Sequence, residues 1–418
     1  MHIQIVGASV NAVAMIYHLS EVGHQVYWSI EDDHLAQQVA QQVTVFNDHN
    51  LSRQIYLHIA SGRLQITSDL ASHHLDICIL ALTSKQFDAL RENGVTNSIN
   101  HAKLIVNYSH LEMDTTDEIQ QITKVERIVY IPDFLQEGNV VNSFLTRSLI
   151  VGCEEDEDVK RLVQEVFRPI FPLPTQYNFM SIRAAEFTKL SISGFLATKV
   201  SFMNDLSNAA EALGVDIEEV RIAMSTDSRI GEQYLYPGCG FGGGNLTRDV
   251  LTLKKVVQST GNVNGLLNKI WDINEYQKEI VFRKLWKLFD CQLSDKVIGF
   301  WGAAFKPNTN SLAQAPILNI LEACWAQGAV TKVHDPSALE NLKSIYPNQE
   351  LLIPCDDPYD ATQGVDALCL ITEWKQYWSP DFLRLKESMR QLNMIDGRNI
   401  YNPHYVREQG FRYIGIGR

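Results

Sequence analysis

At 418 residues the chain is too long for one ordinary hydrophobic core, and it predicts two or three domains. A hydrophobic fraction of 45% and a charged fraction of 20% are typical of soluble globular proteins, and a net charge of −13 argues against nucleic acid or an anionic membrane as a general partner. No apolar run reaches the length of a membrane span, and no basic or cleavable leader opens the chain. The seven cysteines lack CxxC spacing and the twelve histidines lack an HExxH pair, so we expect no disulfide, no metal site and a cytoplasmic location.

The start of the chain has the pattern of a dinucleotide-binding βαβ unit. Residues 2–6 predict a short apolar strand, an apolar helical pattern follows to about Leu19, and residues 25–29 predict a second strand. Strand, turn, helix and strand in this order open the fold that binds NAD at its first turn.

The glycine fingerprint of that first turn is incomplete. Gly7 stands at the first position of the G-x-G-x-x-G pattern, but Ser9 and Ala12 stand at the second and third. The acid expected at the end of the second strand falls on Ile30, and Glu31 follows one residue later on the opposite side if the strand continues. Two interpretations stay open: a working NAD site, or a Rossmann half that keeps its fold without binding NAD well.

The rest of the chain predicts an α/β fold with two Rossmann-like doubly wound domains joined by a long central helix. The proline-containing stretch 172–177 indicates a linker before a long helical pattern at 181–213. The acidic run 154–158 is interpreted as the solvated first turn of a helix. Further strands are predicted at 75–81, 103–106, 296–302 and 328–335, with a helix at 315–327. The predicted domains are 1–175 (N-terminal, NAD-type), 176–290 (helical, dimerisation) and 291–418 (C-terminal, nucleotide-binding).

The stretch 234–249, YLYPGCGFGGGNLTRD, is the most unusual part of the chain. Six of its sixteen residues are glycine or proline, so it is neither a helix interior nor a strand interior. We expect its backbone amides to face a ligand such as a phosphate or a sugar. The alternative is an ordinary glycine-rich connector.

This stretch and its surroundings resemble the active-site segment of the UDP-glucose/GDP-mannose (nucleotide-sugar 6-) dehydrogenase family. That family reads D-x-R-I-G followed by F-L-x-x-G-x-G-Y-G-G-S-C-F-P-K-D, and this chain reads DSRIG at 227–231 before the glycine-rich loop. Where the family carries its nucleophilic cysteine, this chain has Asn245. The resemblance continues from residue 1 to about 403 through IPDFLQEG at 131–138, AEFTK at 185–189, FKPNT at 305–309, LITEW at 370–374 and IDGRN at 395–399.

The resemblance implies substrate-binding, catalytic and cofactor-binding roles for particular residues. The implied substrate-binding positions are Asp133, Lys189, Arg229, Tyr234, Gly242, Gly243, Lys306 and Arg398. The implied catalytic positions are Ser109, Glu137, Lys189, Ser193, Asn245 and Asp249. The implied cofactor positions are Gly7, Ser9, Ala12, Glu31, Thr83 and Ser109, with NAD as the cofactor.

Relative to the family, this chain is substituted mainly at positions for cofactor binding and for catalysis. Ser9, Ile30, Asn107 and Ala313 depart from what the family carries near NAD, so NAD binding is in doubt, whereas Lys306 and Arg398 are retained and suit a diphosphate or uridine. The resemblance further implies a homodimer through the central region and a UDP-sugar-like ligand.

The family oxidises a C6 alcohol twice, and the second oxidation passes through a thiohemiacetal and a thioester. Lys189 and Asp249 retain the pair that positions the water that accepts the first proton. Asn245 cannot attack a carbonyl, since its nitrogen lone pair is delocalised, and it can only donate a hydrogen bond to an oxyanion. Cys239 lies in the same loop, either as a substitute thiol or as a small residue that fills its slot.

Four hypotheses follow. The first is a homologue that binds a UDP-sugar-like ligand and does not complete oxidation to the uronic acid. The second is an active NAD-dependent oxidoreductase that stops at the aldehyde through Lys189 and Asp249. The third is a conventional 6-dehydrogenase with another group in place of the thiol, and the fourth is a dimeric scaffold that binds neither ligand.

Overall fold

The chain forms two compact units, Met1–Ser191 and Ile192–Arg418. The architecture is known from a computed structural model. It describes residues 1–30, 32–42, 49–66, 75–94, 102–136, 138–144, 147–261 and 265–418. Within these ranges, every helix is too short or too polar to cross a bilayer.

The first unit is built on an eight-stranded sheet in the order β3-β2-β1-β4-β5-β6-β7-β8. Neighbouring strands are parallel except β6 and β7. The strands are β1 (His2–Val6), β2 (Gln25–Ser29), β3 (Leu64–Ile66), β4 (Ile77–Leu80), β5 (Leu104–Asn107), β6 (Ile128–Tyr130), β7 (Leu149–Gly152) and β8 (Tyr177–Met180). The helices are α1 (Val10–Glu21), α2 (Asp33–Ala40), α3 (His49–Ala60), α4 (Ser84–Asn93), α5 (Thr115–Thr123), α6 (Val140–Phe144) and α7 (Glu157–Phe167).

Both faces of this sheet are covered by apolar side chains. Alternate residues of β4 enter different core clusters: Ile77 and Ile79 belong to one, and Cys78 and Leu80 to the other. Successive side chains of a strand point to opposite faces, so a central parallel strand reads as a continuous apolar run. That run is the reason the sequence predicted β4 and β5 correctly.

The sheet has a topological switch point between β1 and β4. From β1 the chain proceeds to β2 and β3 on one side, and then to β4 and the remaining strands on the other. In such sheets ligands bind in the crevice outside the carboxyl ends of the two central strands. The turn after β1 and the turn after β4 therefore face each other at the place where a dinucleotide would lie.

The prediction of a linker at 172–177 is wrong. Residues Pro174–Gln176 form a single 3-10 turn, and β8 then pairs in parallel with β7. The prolines end the preceding segment, and the chain turns back into the sheet. The acidic run behaves as expected, because Asp156 caps α7 by accepting hydrogen bonds from the amides of Asp158 and Val159.

The long central helix is confirmed as α8 (Ile182–Leu213), whose 32 residues correspond to roughly 48 Å. The second unit contains a six-stranded parallel sheet in the order β11-β10-β9-β12-β13-β14. Its strands are β9 (Val297–Trp301), β10 (Val330–His334), β11 (Leu352–Pro354), β12 (Ala367–Leu370), β13 (Asn393–Asp396) and β14 (Arg412–Ile414). Its helices after α8 are α9 (Ile217–Ser225), α10 (Gly244–Ser259), α11 (Leu266–Lys278), α12 (Ile280–Leu288), α13 (Pro316–Ala326), α14 (Leu339–Ile345), α15 (Phe382–Ser388) and α16 (Pro403–Glu408).

The turn after β9, the first strand of the second sheet, is filled by a carboxylate from the end of β10. Asp335 follows β10 and accepts hydrogen bonds from the amides of Ala303 (2.7 Å) and Ala304 (3.0 Å). These amides occupy the place where a dinucleotide fold holds a phosphate. An internal carboxylate already satisfies them, so this turn is a structural corner of the domain.

Candidate functional site

A buried charged cluster lies in the first unit, centred on Asp133. Lys189 Nζ is 2.9 Å from Asp133 Oδ1, and His110 Nδ1 is 3.3 Å from Asp133 Oδ2. The side chains of Lys189 and Asp133 are only 4% and 2% exposed. The structure thus brings together two residues that the sequence assigned to substrate binding, and it adds a histidine that the sequence did not single out.

The neighbours of Asp133 keep its carboxyl group ionised. Burial by itself would raise the pKa of Asp133, but the charges and hydrogen bonds of Lys189 and His110 outweigh burial and hold the pKa well below its ordinary range. Burial, and next the charge of Asp133, raise the pKa of the adjacent Tyr108 phenol well above its usual value. The cluster is therefore an ion pair in a nearly dry environment, which is stabilising only when both partners are present.

Glu186 fixes the helix turn that carries Lys189. Its carboxylate accepts hydrogen bonds from the amides of Asp114 (2.8 Å) and Thr116 (3.2 Å) and from the Thr116 hydroxyl (2.6 Å). These groups lie at the N-terminus of α5, where a carboxylate also interacts favourably with the helix dipole. Burial raises the pKa of Glu186, and these hydrogen bonds partly offset the rise. Lys189 follows three residues later, so α8 is anchored immediately before it.

In the second unit, Ser193, Asn245 and Asp249 meet at the start of α10. The Ser193 hydroxyl donates to Asp249 Oδ2 at 2.7 Å, and Asp249 is buried. Asn245 is the second residue of α10 and half-buried, and Asp249 lies one turn further along the same helix face. A hydroxyl, an amide and a carboxylate therefore stand beside the amide-rich end of one helix.

The expectation that the amides of the glycine-rich loop face a ligand is wrong for much of the loop. The Gly238 amide donates to Asn204 Oδ1 (2.9 Å), the Phe241 amide to Asn274 Oδ1 (2.8 Å) and the Gly243 amide to the Ala313 carbonyl (2.8 Å). Most of the loop is buried. Side chains from α8 and α11 satisfy the first two donors and a backbone carbonyl satisfies the third, so the loop is a packed layer that positions the start of α10.

Close approach explains the glycines. A Cβ on Gly242 would lie 2.5 Å from the Gln314 carbonyl oxygen, and one on Gly243, whose φ is +91°, would lie 2.6 Å from the Phe305 ring. A Cβ on Gly244 would have no atom within 4 Å. Gly242 and Gly243 are therefore required for packing, whereas Gly244 opens α10 without steric restriction.

Cys239, the thiol of the glycine-rich loop, is fully buried. It is 0% exposed, belongs to the hydrophobic core of the second unit, and its Sγ is 3.8 Å from the Ile371 carbonyl oxygen. Burial raises the pKa of its thiol above the ordinary value. A nucleophilic cysteine needs access and a lowered pKa, so burial favours the interpretation of Cys239 as a residue that fills its slot.

Arg398 and Lys306 are two cations in the C-terminal part of the second unit. Arg398 donates from Nε to the Ile371 carbonyl (2.7 Å) and from Nη2 to the Phe305 carbonyl (3.3 Å). Lys306, the next residue after Phe305, is half-buried, and its Nζ lies 5.5 Å from the Phe305 ring centre. Backbone oxygens and the Glu373 carboxylate, 3.3 Å from Nε, thus hold the guanidinium, and one of those oxygens belongs to the residue before Lys306.

Arg229 and Tyr234 are placed differently from these cations. The Arg229 side chain is 88% exposed and pairs with Asp227 in the same turn. Tyr234 is half-buried with φ +62°, and burial raises its pKa. For both residues a ligand contact stays a prediction.

The first turn of the N-terminal sheet is tied to the turn after β4. A Cβ on Gly7 would lie 2.2 Å from the Ala81 carbonyl oxygen, so only glycine fits there. The Ser9 hydroxyl accepts from the Ala12 amide (3.2 Å), which caps α1, and donates to the Ala81 carbonyl (2.7 Å). Ala12 itself is fully buried in the core.

Thr83 and Ser109 have structural hydrogen bonds. Thr83 caps α4 and forms a capping box with Gln86. The buried Ser109 hydroxyl accepts from the Leu82 amide (2.9 Å) and donates to the Leu80 carbonyl (3.0 Å), which joins the ends of β4 and β5. The Ser109 amide also donates a hydrogen bond to Asn107 Oδ1 at 3.0 Å.

Two predicted site residues, Glu31 and Glu137, lie outside the described residues. His110 and Gln86 are the neighbours that sequence reasoning missed. The available signal was position, because both follow central parallel strands at the carboxyl edge of the sheet, where ligand-facing groups collect.

Three family models match consecutive parts of the chain. They are the NAD binding domain of the UDP-glucose/GDP-mannose dehydrogenase family at 1–171, its central domain at 183–276 and its UDP binding domain at 299–403. A UDP-glucose 6-dehydrogenase of Pseudomonas aeruginosa is 34% identical over 336 residues, which cover 77% of this chain and 74% of that protein. This chain belongs to the UDP-glucose/GDP-mannose dehydrogenase family. The resemblance seen in the sequence is confirmed.

Other relatives span the whole chain. A UDP-glucose 6-dehydrogenase of Rhizobium meliloti is 28% identical and covers 100% of both chains. A UDP-glucose dehydrogenase structure from Pyrobaculum islandicum superposes with a TM-score of 0.86 at 22% identity, over 100% of this chain and 97% of the other. A UDP-D-ManNAc dehydrogenase structure from Pyrococcus horikoshii gives 0.81 at 20% identity, over 100% and 99%. These structures confirm the predicted fold of two parallel-sheet α/β domains and a long central helix.

The first turn has one feature of an NAD site and lacks another. In this family member Gly7 makes the close approach that the turn needs, but the Ser9 side chain stands where a glycine would open the backbone to a pyrophosphate. Across the crevice, the Ser9 hydroxyl donates to the Ala81 carbonyl and Gln86 Oε1 accepts from the Ala8 amide. The turn as described fits a dinucleotide only if these bonds open.

Proposed function

We propose that this family member binds a UDP-sugar-like ligand through its second unit and does not complete oxidation to the uronic acid. The observation that carries the proposal is Asn245 at the first turn of α10, where the family has its thiol, together with Cys239 buried in the core. A helix N-terminus lowers the pKa of a thiol and so activates it, but it cannot turn a carboxamide into a nucleophile. Without a thiol there is no thiohemiacetal and no thioester to hydrolyse.

Ligand binding is supported by two cations, Arg398 and Lys306. Backbone oxygens hold the Arg398 guanidinium in a fixed orientation, which suits two-point recognition of a diphosphate or a uracil carbonyl. Lys306 adds a second positive charge, and both residues lie in the part of the chain that matches the UDP binding domain.

The polar residues at the start of α10 can still position a ligand. Ser193 holds the Asp249 carboxylate at 2.7 Å, and the Asn245 amide lies one turn away on the same helix. A carboxylate and an amide can hold a water or a sugar hydroxyl by hydrogen bonds. They cannot form the covalent intermediate that the second oxidation needs.

We further propose that the chain is a homodimer through α8. Phe195 and Phe202 are 67% and 51% exposed and seven residues apart, so they lie on one face of the helix. Two exposed phenylalanines on a long helix indicate a covered surface. Sedimentation should show a dimer for the wild type and a monomer for Phe202→Asp, and a monomeric wild type would refute this part.

The experiment that tests the main proposal combines binding and turnover. UDP-glucose titrated calorimetrically should bind, and the protein incubated with UDP-glucose and NAD⁺ should yield no UDP-uronic acid by mass spectrometry. Asn245→Cys should restore the uronic acid if only the nucleophile is missing, and Asn245→Ala is the matched control that should not. Uronic acid from the wild type would overturn the proposal.

The alternative is one oxidation, from alcohol to aldehyde, through Lys189 and Asp249. It is favoured by the fact that both residues are retained and buried, with Asp249 held by Ser193. Here the wild type should form about one NADH per sugar, with an aldehyde trapped by a hydrazine, and Asp249→Asn should abolish both. A wild type that forms no NADH excludes this alternative.

A further inference from the structure

The crevice between the turns after β1 and β4 is crossed by two hydrogen bonds. The Ser9 hydroxyl donates to the Ala81 carbonyl at 2.7 Å, and the Ala8 amide donates to Gln86 Oε1 at 3.3 Å. Since β1 and β4 are neighbours at the switch point of the sheet, these bonds join the two sides of the site where a dinucleotide would lie. We name the pair Ser9 and Gln86 the switch-point bridge.

The side-chain oxygen of Gln86 occupies a position in this crevice that would suit an anion. This Oε1 accepts from the Ala8 amide and also from the Thr83 amide (3.0 Å) and the Thr83 hydroxyl (3.2 Å). Three donors from two turns therefore converge on one oxygen, an arrangement that suits a phosphate oxygen equally well. A side-chain oxygen of the chain itself already occupies it.

The bridge has a built-in weakness that allows it to open. Gln86 Nε2 is buried and has no hydrogen-bond partner among the described residues. A buried amide donor without a partner lowers the stability of the protein. If the Gln86 side chain moved into water, its nitrogen would gain a hydrogen bond, and its oxygen would give up the hydrogen bonds from Ala8 and Thr83. The closed crevice is favoured by the converging donors and opposed by this nitrogen.

We infer that the switch-point bridge competes with the pyrophosphate of a dinucleotide and sets the NAD affinity of this chain. The inference goes beyond the proposed function and gives the NAD affinity a structural cause, which lies in Ser9 and Gln86. NAD then binds only to the fraction of molecules in which the bridge is open, so the apparent affinity for NAD equals the intrinsic affinity multiplied by that fraction. Variants that remove the bridge bind NAD more tightly.

A purely structural role of Gln86 predicts the opposite sign. Gln86 also completes the capping box of α4 with Thr83. If capping were its only function, Gln86→Ala would fray α4 and leave NAD affinity unchanged or lower. Competition predicts higher affinity despite the lost cap.

The experiment is a calorimetric titration of the full-length protein with NAD⁺ and, separately, with UDP-glucose. Ser9→Gly keeps most of the capping propensity at the start of α1 and removes one bond of the bridge, and Gln86→Ala removes the other. Each variant should bind NAD⁺ roughly three- to tenfold more tightly, and the double variant up to about a hundredfold, if each net hydrogen bond has its usual magnitude. Gln86→Glu keeps an oxygen in the crevice and adds a negative charge, so it should bind NAD⁺ no better than the wild type.

Matched controls separate this inference from the proposed function. Lys85→Ala changes the exposed neighbour of Gln86 and should leave NAD⁺ affinity unaltered. UDP-glucose affinity should be the same in all variants, and its loss in the wild type would count against the proposed function alone. Unchanged or weaker NAD⁺ binding in the double variant, with thermal unfolding confirming a folded protein, would overturn the switch-point bridge.

Discussion

Lys189 and Asp133 face each other at 2.9 Å inside the first unit, with His110 on the second oxygen of the same carboxylate. Each partner alone would be a buried charge, which is costly in a medium of low polarity. The pair is therefore interdependent: the lysine that the sequence assigned to chemistry and the aspartate assigned to the substrate also hold each other in place.

Asp133→Asn should destabilise the protein by roughly 3–5 kcal/mol, because it leaves the Lys189 ammonium buried without its carboxylate. Urea unfolding followed by circular dichroism measures the change. Asp88→Asn is the matched control. It removes one partner of the exposed ion pair with Arg91 and should cost less than about 1 kcal/mol. Equal effects of the two substitutions would contradict a buried role for Asp133.

The contribution of Asp133 should also depend on pH in a defined direction. Its folded-state pKa is lowered from the ordinary 3.8, so the unfolded state binds the proton more readily. The stabilisation is therefore complete above the unfolded pKa and is lost progressively as the pH falls below it. The difference in unfolding free energy between wild type and Asp133→Asn should be constant from pH 6 to 8 and shrink below about pH 4. A difference that grows on acidification would refute the ion pair.

Neighbouring glycines of the glycine-rich loop should differ in how much stability is lost when each is replaced by alanine. Gly242→Ala and Gly243→Ala should each destabilise by roughly 1–3 kcal/mol or more, since the new methyl group meets the Gln314 carbonyl or the Phe305 ring. Gly244→Ala, at the open first position of α10, should be neutral or stabilise by up to about 1 kcal/mol. Thermal unfolding of the three variants checks this. Similar melting temperatures would mean that the loop is not packed as described.

The two cations should contribute differently to ligand binding. Lys306→Ala should weaken UDP-glucose binding roughly tenfold with little loss of stability, because a charged hydrogen bond is worth about 1.5–3 kcal/mol. Arg398→Ala should weaken binding and also lower the melting temperature, since Arg398 holds the Ile371 and Phe305 carbonyls. Lys375→Ala, an exposed lysine of the same unit, is the control and should change neither. Calorimetry and thermal unfolding on the same samples separate the effects.

The thiols should react in an order set by burial. Of the cysteines, Cys291 is exposed and should react rapidly with a disulfide reagent in the native protein, whereas Cys239 should react only on unfolding. Cys291→Ser should remove the fast phase. Asn245→Cys should add a second fast phase, because a thiol in the first turn of a helix has a lowered pKa. Fast native labelling of Cys239, identified by peptide mapping, would reopen its candidacy as a nucleophile.

Local patterns predicted the secondary structure around the site well. The strands at 2–6 and 25–29 coincide with β1 and β2, and the long helix was predicted to within one residue at its start. Apolar periodicity and glycine positions encode these elements, and both are written in neighbouring residues. The 172–177 stretch was misinterpreted, because two prolines there introduce a strand of the sheet and do not lead out of the domain.

The sequence by itself determined the family, the α/β fold and the absence of a thiol at position 245, since each depends on which residue stands at which position. Only the tertiary structure decided how those residues are used. It showed that the loop amides are satisfied by Asn204 and Asn274, that Cys239 is in the core and that Gln86 lies across the crevice at the sheet's switch point. These contacts join residues 33 to 78 positions apart in the chain, and no local pattern specifies which distant donor meets which acceptor. Hydrogen-bond satisfaction and burial are properties of the packed molecule, so they are determined only when the chain has folded.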